Sequence, residues 1–416
     1  MTRALLLLCA LAACKPRSQR HLHTGDSEAD FAAQLKTTLG RDLVFDEAKH
    51  QLTGSNEVIS TTNLYHEWQQ TPEADRPAAL QKIAAGFQQT VDTKLDLATV
   101  KPRLRPAVRA VNYFDAQNLA AQEAKLGSAA KPHTVAHVML GDSAAIGIAI
   151  DSPDAMAIAT DQDLAEWKLT ADQALAIATE NLRATGAHLE QLEPGVWGAT
   201  AHDSYDASRL LLVDEIKKLG LPGGAVALIP NRETLLLAGA KDGKGLLAMA
   251  ARADAVVNDP RPIHTIALCL GDAGWKECVP DVTPAVKQKF NELAVQGRLS
   301  IYGDDHDAYQ ERLGDDIFVA HLSGLQKKTG EALTYATWTK TVPTMLPKAD
   351  LVAFVVLEGP EGSEKGHMLG LAPWGRVMQV CGAHLQDTGR LPAYWATGDW
   401  FPGDAELAKL ALTKAP

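Results

Sequence analysis

The sequence lacks a hydrophobic run long enough to cross a membrane. A spanning helix needs roughly 20 consecutive apolar residues, and no window of the 416-residue chain reaches 18. The unbroken apolar run Leu5–Ala13 has only nine residues. We therefore expect the remainder of the chain to be soluble, although other features place it beside a membrane.

Basic residues are also scarce. The chain carries 40 Lys and Arg against 51 Asp and Glu, which gives a formal net charge of -11 and a pI near 5.6. Without a basic block, this balance argues against nucleic acid as a partner. Hydrophobic residues make up 46% of the chain. That proportion is enough for a sizeable core, and the length favours two or three domains.

The motifs of nucleotide-binding and hydrolytic enzymes are missing. No Gly-x-Ser-x-Gly elbow and no paired-cysteine zinc motif occurs. The stretch 239–245 imitates a phosphate loop, but it is one residue short between its glycines, and Gly245 stands where Ser or Thr should hold magnesium. We interpret this stretch as the exit loop of a hairpin.

Two further stretches only superficially suggest a metal site. His133 and His137 are four residues apart, but the segment is predicted to be a strand, where that spacing separates them by about 13 Å. The acidic stretch 303–307 lacks the ligand spacing of a calcium loop. We interpret it as the opening of a helix that runs from Asp304 to Leu313. The sequence therefore predicts no metal and no cofactor.

The N-terminus has the order of features found in a bacterial lipoprotein signal. Arg3 supplies a positive start, Leu5–Ala13 the apolar run, and Leu11-Ala12-Ala13 leads directly to Cys14. We expect cleavage after residue 13, lipid on Cys14, and a polar tether over residues 14–30. Such an anchor would place the protein in the bacterial cell envelope. The inner or outer membrane, and its periplasmic or surface face, remain open.

The chain has few cysteines. Cys9 leaves with the signal and Cys14 carries lipid, so Cys269, Cys278 and Cys381 remain of the five. Outside the cytosol, Cys269 and Cys278 could pair across a predicted hairpin. The sequence leaves that disulfide open. Cys381 is expected to be a buried apolar residue.

The pattern of elements predicts an α+β fold, with mixed and antiparallel sheets of short hairpins packed with helices. We expect two successive domains, at residues 31–282 and 285–416. The segment Pro284–Leu293 is predicted to be helical and to act as a linker. Leu299–Ile301 is predicted to be a strand because apolar and polar residues alternate there.

The most distinctive stretch is 204–209, Ser-Tyr-Asp-Ala-Ser-Arg. Asp203 or Ser204 is a plausible N-cap for the apolar helix that follows, and Asp206 and Arg209 are spaced to pair. One interpretation is a structural helix start. The other is a polar ligand-binding pocket, whose candidate residues are Tyr205, Asp206, Ser208 and Arg209.

Three segments together resemble the YtpQ-like bacterial family, domain of unknown function 1444. They are Thr170–Leu182, Ser204–Leu210 and Ala225–Ala238; the family has Gly-Tyr-Asp-Ala-Ser-Arg where this chain begins with Ser204. Residues 105–109 and 262–266 are similar to two of its strands. The resemblance covers residues 28–282, so the lipoprotein signal and the C-terminal domain are additions. It implies no activity and no catalytic residue.

These observations favour a membrane-anchored, envelope-associated binding protein over an enzyme. Its partner would be an unidentified protein or peptide. The alternative is a hydrolase whose site surrounds Tyr205, Asp206 and Arg209.

Overall fold

The computed structural model describes residues 27–47, 50–54, 58–89, 96–123, 134–152, 156–314, 316–359 and 365–414. The chain has an α+β fold with several antiparallel and mixed sheets of short strands. It divides into two compact units. The first comprises residues 1–103 and 150–157, and the second residues 104–149 and 158–416. Within the described residues, no helix is both long and apolar enough to cross a membrane.

The first unit packs helices against a small antiparallel sheet of order β1-β2-β3. Ser27 caps its first helix, accepting a hydrogen bond from the backbone N of Asp30, whose side chain reciprocates. Phe31, Leu52 and Trp68 lie in its core. The elements are α1 (Glu28–Leu39), β1 (Val44–Asp46), β2 (Gln51–Thr53), β3 (Val58–Ser60), α2 (Thr62–Gln70), α3 (Arg76–Gln89) and α4 (Leu97–Val100).

The second unit contains the segments of the YtpQ-like resemblance and begins with a sheet of order β4-β6-β5. A six-stranded antiparallel sheet follows, in the order β13-β12-β10-β11-β9-β8. The elements of this part of the chain are β4 (Leu104–Ala110), α5 (Val111–Glu123), β5 (His137–Leu140), β6 (Ala144–Asp151), β7 (Met156–Ile158), α6 (Asp161–Trp167), α7 (Ala171–Thr185), β8 (Leu189–Glu193), β9 (Val196–Ala199), α8 (Val213–Lys218), β10 (Ala225–Asn231), β11 (Leu236–Gly239), α9 (Gly243–Val256), β12 (Pro262–Gly271) and β13 (Gly274–Glu277). The last two residues of β6 and the first two of β7 belong to the first unit.

A single long helix, α10 (Pro284–Leu313), follows this sheet in the same unit. Thr283 caps it, and Pro284 occupies the first turn, where a missing N–H costs nothing. Val286, Phe290 and Leu293 pack with α9 and the sheet. A Cβ at Gly297 would lie 2.9 Å from Ile266 Cγ1. Glycine therefore lets the helix approach β12 closely.

The prediction of a strand at Leu299–Ile301 is wrong, because these residues lie inside α10. The local alternation of apolar and polar residues suited a strand. The wider spacing of Leu293, Ala294 and Ile301, however, places apolar residues on one helical face. The acidic stretch 303–307 does not open a helix, since it lies well within this one.

The remainder of the second unit forms two four-stranded sheets. Their orders are β15-β16-β18-β19 and β14-β17-β21-β20, and β16 runs parallel to β18. Trp338 and Phe354 lie in the core beneath them. The elements are β14 (Phe318–Val319), β15 (Ser323–Gln326), β16 (Ala332–Thr339), β17 (Thr344–Pro347), β18 (Leu351–Glu358), β19 (Lys365–Pro373), α11 (Trp374–Cys381), β20 (Gln386–Asp387), β21 (Tyr394–Ala396) and α12 (Asp404–Leu410).

Candidate functional site

The last three residues of the distinctive stretch belong to a 3₁₀ helix, Ala207–Leu211, and α8 begins only at Val213. The prediction that Asp203 or Ser204 caps an α-helix is therefore wrong. Asp203 instead accepts a hydrogen bond from the backbone N of Tyr205, at 3.1 Å, and turns towards Arg209. Ser204 has a positive φ of 73°, which is rare for a residue with a side chain.

Arg209 is fully buried and bonded on several sides. Its Nη1 and Nη2 donate to the two carboxylate oxygens of Asp203, at 2.7 and 2.8 Å. Nη1 also lies 3.4 Å from Asp206 Oδ1, and Nε donates to the carbonyl of Gly186 at 3.2 Å. Bidentate pairing fixes the guanidinium plane. The side chain therefore ties the 3₁₀ helix to the residue that follows α7.

The other three candidate residues are buried as well. Asp206 accepts hydrogen bonds from the backbone N of Ala201 and His202, at 3.2 and 2.9 Å. Ser208 Oγ accepts from the backbone N of Val108 at 3.1 Å. Tyr205 is only 5% exposed. The structure thus brings the four residues together, but it places them in the interior of the unit.

The two carboxyl groups around Arg209 have pKa values shifted in opposite directions. Burial raises the pKa of Asp206 more than the His202 backbone N–H and the Arg209 charge lower it. Burial also acts on Asp203, but there the hydrogen bonds and charge of Arg209 prevail and lower the pKa. Opposed shifts can mark acid–base sites, yet ion-pair networks within a fold produce them too. The burial of all four candidates favours the structural interpretation.

A cavity of about 400 Å³ lies elsewhere in the second unit. This volume is within the range of about 300–1,000 Å³ that is usual for small-molecule sites. Segments far apart in the chain supply its walls, so no local sequence pattern predicts it. The lining residues are Asp142, Ser143, Ile266, Glu277, Cys278, Val279, Ala294, Arg298, Ile301, Tyr302, Lys348, Ala349, Asp350 and Pro392.

One group of polar residues in this wall is centred on the turn between β5 and β6. Glu277 Oε1 accepts hydrogen bonds from the backbone N of Asp142 and Ser143, at 2.9 and 2.8 Å. A Cβ at Gly141 would lie 2.9 Å from the same oxygen, so the turn approaches the carboxylate closely. Lys348 Nζ reaches Asp142 Oδ2 at 2.6 Å. The backbone of this turn therefore donates to the Glu277 carboxylate, and the side chain of Asp142 pairs with the Lys348 ammonium group.

A second group of polar residues in the wall is centred on Arg298 of α10. Arg298 Nη1 donates to Asp350 Oδ1 at 2.8 Å. The other oxygen of Asp350 accepts from the backbone N and the hydroxyl of Thr334, at 2.7 and 2.8 Å. Burial opposes ionisation of Asp350, but the Arg298 and Thr334 hydrogen bonds lower its pKa. Asp350 is therefore a charged anchor that holds the guanidinium.

The tyrosine of the wall is held in place and remains neutral. Tyr302 donates its hydroxyl to the carbonyl of Ala393 at 2.9 Å, and burial raises its pKa. Ala294 and Arg298 lie eight and four residues before it, on the same face of α10, and Ile301 precedes it directly in the chain. The helix thus contributes both charge and apolar surface to the cavity.

A disulfide joins Cys269 and Cys278, whose Cα atoms are 5.8 Å apart. It links β12 to the residue after β13, directly beside Glu277. The bond therefore restrains the segment that carries Glu277 and Val279 into the wall. Cys381 is a free, buried thiol, and burial raises its pKa to about 11.

The structure also locates the stretches that resembled metal or phosphate sites. Over the described residues, no group of three His, Cys, Asp or Glu side chains is placed to hold a metal. His137 lies in β5, and His133 is outside the described residues. At Gly245 a Cβ would lie 2.6 Å from the carbonyl of Gly195. That glycine is thus explained by close packing.

The fold and the cavity define an α+β protein with a small, charged pocket. Comparison of the chain with family models, curated proteins and solved structures gives no match.

Proposed function

We propose that the protein is a non-catalytic binding protein of the bacterial cell envelope, anchored to a membrane by lipid on Cys14. The order of Arg3, the apolar run and Leu11-Ala12-Ala13-Cys14 supports the anchor. The disulfide between Cys269 and Cys278 is the structural observation that supports the location. Such bonds persist in oxidising compartments and are rare in the cytosol.

The proposed role is binding, with a protein or peptide as the partner, on a YtpQ-like unit. The alternative, a hydrolase at Tyr205, Asp206 and Arg209, finds less support. A catalytic group must reach its substrate, whereas Asp206 and Arg209 have no exposed side-chain surface. Their polar atoms bond to neighbouring backbone and to each other. We therefore propose binding, and not hydrolysis, as the role of the protein.

Replacing Cys14 with serine is expected to abolish lipid attachment and release the protein from membranes. Serine has no thiol and so cannot form the thioether that carries the first acyl chains of the anchor. The measurement is incorporation of a labelled fatty acid into the full-length chain expressed in bacteria, together with membrane fractionation.

Cys9→Ser is the matched control, because Cys9 lies within the expected signal and would be removed with it. This variant should label and fractionate like the unaltered protein. A Cys14→Ser variant that still incorporates fatty acid and stays with the membrane would refute the anchor.

A further inference from the structure

We propose that the charged cavity binds a zwitterionic α-amino acid with an apolar side chain. The proposal builds on the binding role suggested above and does not depend on the lipid anchor. It follows from the hydrogen-bonding capacity that the wall residues retain after their internal contacts are made.

Two cationic side chains of the cavity wall have N–H groups left to donate after the hydrogen bonds that they make with other described residues. Lys348 has three N–H groups, and the hydrogen bond to Asp142 uses one. Arg298 uses Nη1 for Asp350 and Nε for the carbonyl of Ala294. Within the described residues, no hydrogen bond involves its Nη2. Donors from a guanidinium and an ammonium together suit a carboxylate.

One carboxylate of the wall retains an acceptor. Glu277 receives both backbone N–H groups at Oε1, and among the residues described no donor reaches Oε2. The other two carboxylates have their charges matched, Asp142 by Lys348 and Asp350 by Arg298. Glu277 is thus the wall's unbalanced negative charge, and it suits an ammonium group of the ligand.

The balance of charge favours a zwitterion over a simple ion. The wall carries three carboxylates and two cations, so an anion alone would enter a site of net negative charge. A cation alone would leave the spare donors of Arg298 and Lys348 unmatched. A ligand with both charges satisfies both ends of the site.

The rest of the lining is apolar, and it would select amino acids that have an apolar side chain. Ile266, Val279, Ala294, Ile301 and Ala349 line the cavity beside the charged groups. Apolar walls with a few placed polar groups are typical of small-molecule sites. A branched aliphatic or aromatic side chain would bury its surface there. Leucine and phenylalanine therefore represent the proposed class.

The test is calorimetric titration of the purified full-length protein in mild detergent with leucine and phenylalanine. We expect saturable binding with a dissociation constant on the order of 1 mM or tighter. Two analogues of leucine separate the charges: 4-methylpentanoate lacks the ammonium, and 3-methylbutylamine lacks the carboxylate. Each should bind at least about tenfold more weakly than leucine.

Two variants test whether Glu277 binds the ammonium group of the ligand and Lys348 its carboxylate. Glu277→Gln keeps an oxygen for the two backbone N–H groups, so the turn is preserved while the charge is lost. It should weaken leucine binding about tenfold or more, whereas 4-methylpentanoate should bind no more weakly than before because the variant removes a negative charge from the wall. Lys348→Gln should weaken leucine and 4-methylpentanoate and spare 3-methylbutylamine.

Glu190→Gln and Lys327→Gln are the matched controls. Glu190 is exposed on β8, and Lys327 forms a surface ion pair with Glu331; neither lines the cavity. Both should bind leucine normally. Thermal unfolding and circular dichroism check that the four variants are folded.

Two results would overturn the proposal. If neither amino acid gives saturable heat, the cavity does not bind this class. If 4-methylpentanoate binds as tightly as leucine, the site recognises an anion and Glu277 has no part in it. Either result can occur in a protein that is still lipidated at Cys14, so the anchor and the ligand are tested separately.

Discussion

Replacing Arg209 with alanine is expected to lower the free energy of unfolding of the second unit by about 3–5 kcal/mol. The change removes the bidentate pair with Asp203 and the bond to the Gly186 carbonyl. It also leaves Asp206 buried without its neighbouring positive charge. An uncompensated buried carboxylate is the larger part of that cost. Chemical denaturation at pH 7, followed by circular dichroism, measures the loss.

Arg183→Ala is the control for this prediction. Arg183 pairs with Glu180 at 3.2 Å on the surface of α7 and keeps a third of its side chain exposed. Its loss should cost less than about 1 kcal/mol. A second variant, Asp206→Asn combined with Arg209→Ala, should recover part of the stability because it removes the stranded charge. If Arg209→Ala proved as mild as Arg183→Ala, the structural role assigned to this cluster would be wrong.

Acidification from pH 7 to pH 5 is expected to cost about 2 kcal/mol of stability through His264 alone. His264 lies in β12, where burial lowers its pKa from 6.5 to about 4. Its Nδ1 accepts a hydrogen bond from the backbone N of Ile266, at 3.2 Å. Nε2 therefore carries the proton of the neutral ring, and this buried atom has no partner among the described residues.

The direction of this change in stability follows from the pKa of His264, which is 6.5 in the unfolded chain and about 4 in the folded chain. Between pH 6.5 and pH 4 the unfolded chain binds a proton at this histidine that the folded chain does not, so stability falls as the pH is lowered. Above pH 6.5 the histidine is neutral in both states and the dependence disappears. Denaturation curves at pH 7, 6 and 5 measure the slope.

His264→Asn isolates this contribution, because an amide oxygen can replace Nδ1 as the acceptor and does not titrate. The variant should be less stable at pH 7, since it leaves a cavity, but its stability should fall by about 2 kcal/mol less than that of the unaltered protein down to pH 5. His367→Asn, at an exposed position of β19, should leave the slope unchanged. Equal slopes for both variants would contradict the prediction.

Local pattern was enough to predict much of the fold. The capping box of Thr170 and Gln173 begins α7 at Ala171, and the turn after Pro230 joins β10 to β11. The prediction of an α+β fold with antiparallel and mixed sheets is confirmed. These features depend on residues close together in the chain, where capping and alternation act.

Features that depend on distant residues could not be predicted in the same way. Arg209, in the 3₁₀ helix Ala207–Leu211, bonds to the carbonyl of Gly186, which lies 23 residues earlier in the chain. Short windows within α10 predict a linker, a strand and a helix, because they do not show the helical spacing of Leu293, Ala294 and Ile301. The cavity brings Glu277, Arg298 and Lys348 together from three elements or their ends, and no spacing within any one of them signals a site.

The walls of the cavity have a consequence for fragments of this protein. Glu277 and the turn at Asp142 precede α10, whereas Arg298 lies on α10 and Lys348 and Asp350 follow it. A chain cut before Pro284 would keep the side of the pocket that carries Asp142 and Glu277 and would lose both of its cations. Neither fragment would hold a complete pocket, so the segments on both sides of such a cut are needed together for the proposed binding.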